Sequence, residues 1–145
     1  MKISTKGRYA LRMMVDLAQH RHEGYIALKD IAKRQGISKK YLEQIVPLLN
    51  RSDYLQTNRG FQGGYMLTKP PDRYTVGDIL RVTEGSISPI AGLEYEPIHN
   101  DRSSVKMILH VWRGLEKVIV EYLDSITLQD ILDRYSEEGQ YDYYI

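Results

Sequence analysis

Between Leu28 and Leu67 two short amphipathic segments meet across a tight turn and run directly into a glycine-rich hairpin, an order of parts that few folds accommodate. In the first segment, LKDIAKRQ, Leu28, Ile31 and Ala32 lie three and four residues apart and share one helix face. Gly36 follows where a helix end calls for a left-handed residue, and Ser38 stands as N-cap to the next helix. In that helix, KKYLEQIVPLLN, Leu42, Ile45, Val46 and Leu49 make the apolar stripe. Pro47 predicts a kink or a break, because it lacks an amide proton and crowds the carbonyl of Glu43. After Tyr54 and Leu55, QTNRGFQGGYML reads as two extended runs around glycines 60, 63 and 64, expected at positive-φ turn positions.

Helix, turn, helix and hairpin in that order make a winged helix-turn-helix, which points to duplex DNA. Lys39, Lys40, Tyr41, Glu43 and Gln44 turn away from the apolar stripe, and together they offer what a helix in the major groove needs. Gln44 suits adenine, Glu43 the cytosine amino group, Lys39 and Lys40 phosphate or guanine, and Tyr41 phosphate or a thymine methyl. Arg59, at the hairpin tip, suits a narrow minor groove. A phosphate loop is the competing reading of the glycines, but no lysine followed by serine or threonine and no following helix accompany them. The net charge of +1 conceals a division: residues 1–82 carry 15 basic against 7 acidic side chains, a net of +8, and residues 83–145 carry 5 against 12, a net of −7. A polyanion is drawn to the first half and repelled by the second.

The remaining chain reads as mainly α. Residues 5–22 form a helix capped by Ser4 or Thr5, whose apolar face (Tyr9, Ala10, Met13, Met14, Leu17, Ala18, widened by Leu11 and Val15) predicts burial from more than one side. Thr75 to Val82 is a short helix that closes a winged helix-turn-helix domain over residues 1–84. Residues 85–102 read as a linker. From Ser103 to about Leu123 a long helix carries Val105, Ile108, Trp112, Leu115, Ile119 and Tyr122 at spacings of 3, 4, 3, 4, 3, a heptad seam. That seam predicts a homodimer, which matches one recognition helix per chain to a palindromic operator. Gly114 costs the helix about 1 kcal/mol relative to alanine, which close approach of a neighbour would explain. A last short helix begins at a capping box of Thr127 and Asp130 and completes residues 103–135; order is expected to end at Gly139, within a tail over 136–145.

Composition excludes whole classes of mechanism. With no cysteine there is no disulfide, thiolate metal site or thiol-based redox sensing. His20 and His22 cannot share a helix face, and His110 has no thiolate beside it, so no metal or cofactor is expected. No catalytic triad, paired acids in a cleft or nucleotide loop can be assembled, so the chain reads as no enzyme. No apolar run reaches membrane-spanning length and the first residues lack a signal-peptide layout, which predicts a cytoplasmic protein without membrane contact.

MKISTKGRYAL, SKKYLEQIV, RGFQGGYML, TVGDILRVTEG with SISP after it, and DSITLQDI together resemble the Rrf-type winged-helix repressors, the family of the iron-sulfur regulator IscR, over essentially the whole chain. The resemblance implies a homodimer with crossing C-terminal helices, one wing per half-site, and DNA contacts from Tyr41, Glu43, Gln44 and Arg59. Cluster-binding members place three cysteines in the segment that here runs from Gly85 to His110; none is present, so the cluster is not carried over. EGSISPI, the lack of cysteine and the YDYYI ending are most similar to the branch that represses cysteine metabolism in Gram-positive bacteria. Such proteins act with cysteine synthase, and the resemblance implies that Tyr143, Tyr144 and Ile145 enter that enzyme's active site, as the isoleucine-ended tail of serine acetyltransferase does, in competition with O-acetylserine. Two alternatives stand beside it: a cluster-less regulator answering a different signal, and an adaptor that controls a metabolic enzyme without binding DNA.

Overall fold

The computed structural model describes residues 2–61, 63–92 and 103–143. Helix α1, Thr5–Gln19, is capped by Ser4, whose hydroxyl accepts from the amide of Gly7 at 3.0 Å. It stops short of residue 22 because Arg21–Glu23 forms a 3-10 turn closed by Gly24 at φ 79°. Side chains finish the helix end: the Arg21 guanidinium donates to the Ala18 carbonyl at 2.8 Å, and His20 Nδ1 lies 2.9 Å from the Asp16 carbonyl.

Helix α2, Leu28–Gln35, ends at Gly36 with φ 64°, and Ser38 starts α3, Lys39–Arg51, by accepting from the amide of Tyr41 at 3.1 Å. The helix-turn-helix is thus closed at both sides of its turn by the residues expected to do so. Of the kink or break expected at Pro47, the break does not occur: α3 runs through it. Pro47 lies on the exposed face, so solvent can serve the Glu43 carbonyl that loses its amide donor.

Helix α1 occupies the centre of the core. Ala10, Met13, Met14, Leu17 and Ala18 are buried, and around them pack Ile31 of α2 and Leu42, Ile45 and Leu49 of α3, with Ile79 and Leu128 from farther along the chain. The wide apolar face is therefore buried from several sides. One charge lies within it: Asp16, 1% exposed, accepts from Arg34 Nε at 3.0 Å, the other guanidinium nitrogen at 2.7 Å and Gln35 Nε2 at 2.9 Å. Arg34 is held above its usual pKa mainly by this hydrogen-bonded carboxylate. The bonds fix α2 against α1, and Asp16→Ala is expected to cost about 2–3 kcal/mol in urea unfolding. A loss below 0.5 kcal/mol would show that Arg34 and Gln35 dock α2 without it.

Strands β1, Leu55–Asn58, and β2, Gly64–Leu67, pair antiparallel with Leu55 opposite Leu67 and Asn58 opposite Gly64. Ile26 bridges to β2 through reciprocal backbone bonds with Tyr65, 2.9 and 2.8 Å. The wing glycines are not among the positive-φ residues. Their reason is space: a Cβ on Gly64 would collide with the Ile26 carbonyl, and one on Gly63 with the carbonyl of Asn58. Tyr74, fully buried, ties the exit of the wing by accepting from the amides of Thr68 and Lys69 at 3.1 Å and donating to the Tyr54 carbonyl at 2.9 Å.

Helix α4, Val76–Glu84, starts at a full capping box in which Thr75 and Asp78 exchange bonds of 3.0 Å. Helix α5, Ser103–Ser125, and α6, Leu128–Tyr143, follow. Thr127 and Asp130 make the expected reciprocal cap at 2.9 and 3.0 Å. Gly139 does not end α6, which continues to Tyr143; no left-handed turn forms there, and a helix tolerates glycine at about 1 kcal/mol. Tyr144 and Ile145 lie outside the described residues.

The last helix belongs to the N-terminal core: Leu128 is fully buried there, with Ile131 and Leu132 packed against it. Backbone bonds from Val76 to Ile126 and from Leu128 to Tyr74, 2.8 and 3.0 Å, join the α5–α6 corner to the start of α4. Alongside, Arg81 grips Asp124 with bonds of 2.9 and 2.7 Å, and the guanidinium holds the Asp124 carboxyl below its usual 3.8. A depressed carboxyl stabilises the fold above its ordinary pKa and ceases to do so as pH falls through the lowered value. Asp124→Asn is accordingly expected to melt about 2–5 °C below the native chain at pH 7 and to converge with it as pH falls through the lowered carboxyl value. A melting gap that persists in acid would locate the loss elsewhere.

Candidate nucleic-acid interface

Helix α3 presents two flanks to solvent. Lys39 and Glu43, with Pro47 and Asn50, line one side of a groove of about 670 Å³ whose other wall is the wing, at Thr57, Asn58, Arg59 and Gly60. Lys29 and the start of α2 form the groove's end, where the N-cap Ala27 offers no side-chain acceptor to the first amides of that helix. Lys40 and Gln44, four residues apart, lie on the outer flank and are exposed.

Tyr41 differs from the reading of a free surface side chain. It is half-buried, with its ring edge-on to Tyr9 at 5.2 Å between centroids, and the Arg12 guanidinium sits 5.4 Å over the Tyr9 ring. Arg12 also bonds Gln35. The ring fastens the start of α3 to α1, so Tyr41 positions the helix as well as exposing its edge. Arg59 is exposed beside the end of β1, and the Asn58 side chain accepts from the amide of Gly60 at 3.0 Å to shape the loop. The structure therefore brings Lys39, Glu43 and Arg59 to one groove and leaves Lys40 and Gln44 on its rim. Sequence reasoning missed Lys29 of α2 and Asn50 of α3, which line the groove only once the hairpin closes it, Asn58, which the folded hairpin brings opposite α3, and Phe61, fully exposed at the wing tip.

A second surface lies on α5. Its face toward α4 is covered, with Ile119 and Leu123 packed near Val76, Leu80 and Ile87. On the opposite side Met107, Ile108, Val111, Trp112, Leu115, Val118 and Tyr122 are exposed. The free stripe is centred on Ile108, Val111, Leu115, Val118 and Tyr122, again at spacings of 3 and 4, so the expected seam is rotated: its Ile119 faces the chain's own core and Val105 is half-buried. Gly114, with no atom near its missing side chain, lies on this stripe between Val111 and Val118.

The profile of the Rrf2 family, iron-dependent transcriptional regulators, matches residues 3–134. The chain belongs to the Rrf2 family. It is 42% identical over 146 residues to the HTH-type transcriptional regulator CymR of Bacillus subtilis (strain 168), with 100% of both sequences covered. Among solved structures it is similar to IscR of T. potens, at TM-score 0.76 and 44% identity over 99% of this chain and 97% of that one. The structure of CymR (YrzC), the global cysteine regulator of B. subtilis, matches at TM-score 0.73 and 38% identity, covering 92% and 98%. This Rrf2 protein is thus a winged-helix transcriptional regulator, and its relatives are regulators rather than enzymes. Iron does not fit the donor set: the chain has no cysteine, and among the described residues no three His, Asp or Glu side chains converge. The cluster of Glu94, Glu96 and His99 in the 85–102 linker lies outside the described residues. No described helix is long and apolar enough to cross a membrane.

Proposed function

We propose that this Rrf2 protein is a homodimeric, sequence-specific repressor in the cytoplasm. Each protomer lays the start of α3 in the major groove and its wing on the adjoining minor groove of a palindromic operator. The observation that carries the reading is the groove between α3 and the wing, with Lys29, Lys39 and Arg59 around it on the half of the chain whose net charge is +8. Lys29, Lys39 and the uncapped start of α2 suit phosphate, and Gln44 and Glu43 base edges. A gel shift against a randomised duplex pool tests it: binding should enrich a two-fold sequence and weaken steeply with salt. An absence of salt-sensitive binding would favour the adaptor reading.

Dimerisation is supported by the contiguous stripe of exposed large apolar side chains on α5, and Gly114 within it suits two helices crossing closely. The signal proposed is sulfur supply, relayed by cysteine synthase. Its support is the 42% identity to CymR, called the global cysteine regulator in B. subtilis, and the aromatic and isoleucine residues gathered in YDYYI. Calorimetric titration of a Gly139–Ile145 peptide into cysteine synthase should give saturable binding that needs Ile145 and is displaced by O-acetylserine. A silent titration leaves the repressor reading intact and removes this partner.

A further inference from the structure

The wing carries the chain's one phenylalanine, and no described residue covers it: Phe61 is as exposed as in an extended peptide, while Tyr54, Tyr65 and Tyr74 beside the wing are packed. Tyr65 packs against the core, and Tyr54 stacks edge-on against Tyr74 at 5.3 Å. The hairpin beneath Phe61 is held firmly, because β2 bonds to both β1 and Ile26, and Gly64 lets the Ile26 backbone pass against it. A rigid arm that carries a bare ring one turn past an arginine is poorly matched to water and well matched to the wall of a nucleic-acid groove.

Resting on the DNA-binding reading above, we propose that Phe61 is an apolar wedge: while Arg59 answers the negative potential of the minor groove, the phenyl ring enters between base steps at the edge of each half-site and partly unstacks them. A phenyl ring has no donor or acceptor, so it reads no base edge and selects sequence only through deformability. Wedges of this kind kink the duplex where stacking is weakest, at pyrimidine–purine steps such as TA and CA. The specificity of this regulator therefore has two parts, a hydrogen-bonded reading by α3 and a deformability preference set by one residue in the wing.

Two selections from one pool of duplexes with a randomised centre, one with the native chain and one with Phe61→Ala, test this. Phe61 is fully exposed, so replacing it with alanine is expected to leave the fold unchanged. The native chain should enrich a two-fold motif flanked by pyrimidine–purine steps. Phe61→Ala should enrich the same central motif without the flanking preference and bind the native site about tenfold more weakly, and Phe61→Leu, itself a wedge residue, should restore much of the preference. With 2-aminopurine at the flanking step, emission should rise on adding native protein and stay flat with Phe61→Ala. Identical flanks, affinities within twofold and equal emission for both proteins overturn the wedge while leaving the DNA-binding reading in place. No enrichment by the native chain overturns both, and that outcome is recognised without the variant.

Discussion

Gln44→Ala combined with Arg59→Ala is expected to weaken binding to the selected operator about a thousandfold, down to the level of non-specific duplex. In the proposed dimer each protomer would contribute both side chains, so four contacts would be lost, and a good base contact contributes about 1–3 kcal/mol. The effect cannot be charged to folding, since Gln44 lies on the outer flank of α3, Arg59 follows the last paired residue of β1, and both are exposed. Melting temperature should stay within about 2 °C of the native chain. Fluorescence anisotropy across a salt series separates the two roles. Losing two Arg59 side chains should lower the slope of log K against log salt by about two, and losing Gln44 should leave the slope unchanged while erasing discrimination at one base position. Full operator occupancy by the double variant would sink the assignment of these two residues.

The helix-turn-helix was legible because its signals are local. Gly36 and Ser38 act within one turn of themselves, and the stripe of Leu42, Ile45, Val46 and Leu49 is read directly from spacing. What stayed hidden depends on partners distant in sequence. The wing glycines look like turn residues until Ile26 is seen crossing behind Gly64, and Tyr41 looks free until α1 brings Tyr9 to its ring. Position 139 looks like a stop only if every glycine is one, whereas a glycine ends a helix when the backbone turns left-handed, as at Gly36. On α5 periodicity alone could not set the seam, because two overlapping heptad stripes fit the same residues. Only the packing of Ile119 and Leu123 near α4 shows which stripe the chain uses itself and which it leaves exposed. The return of Leu128 to the central core likewise has no sequence signal beyond one apolar residue after a cap.

Val111→Glu together with Val118→Glu is expected to give a monomer at micromolar concentration, by sedimentation velocity, and to cut operator affinity about a hundredfold or more. Both valines are exposed in the protomer and occupy the middle of the free stripe, on either side of Gly114. A two-fold axis through that stripe brings all four carboxylates into one desolvated patch, where like charges have no partner. The loss of DNA affinity follows without any change in α3 or the wing, because a second half-site held at millimolar effective concentration is replaced by independent binding. Thermal unfolding distinguishes this from damage to the fold. If the native chain is a dimer, its melting temperature rises with protein concentration, and the variant's should not, while both give the same midpoint when extrapolated to high dilution. Arg113→Glu, off the stripe on the other side of α5, should leave the dimer intact. A double variant that still sediments as a dimer would move the interface off this face and leave the exposed stripe without an occupant.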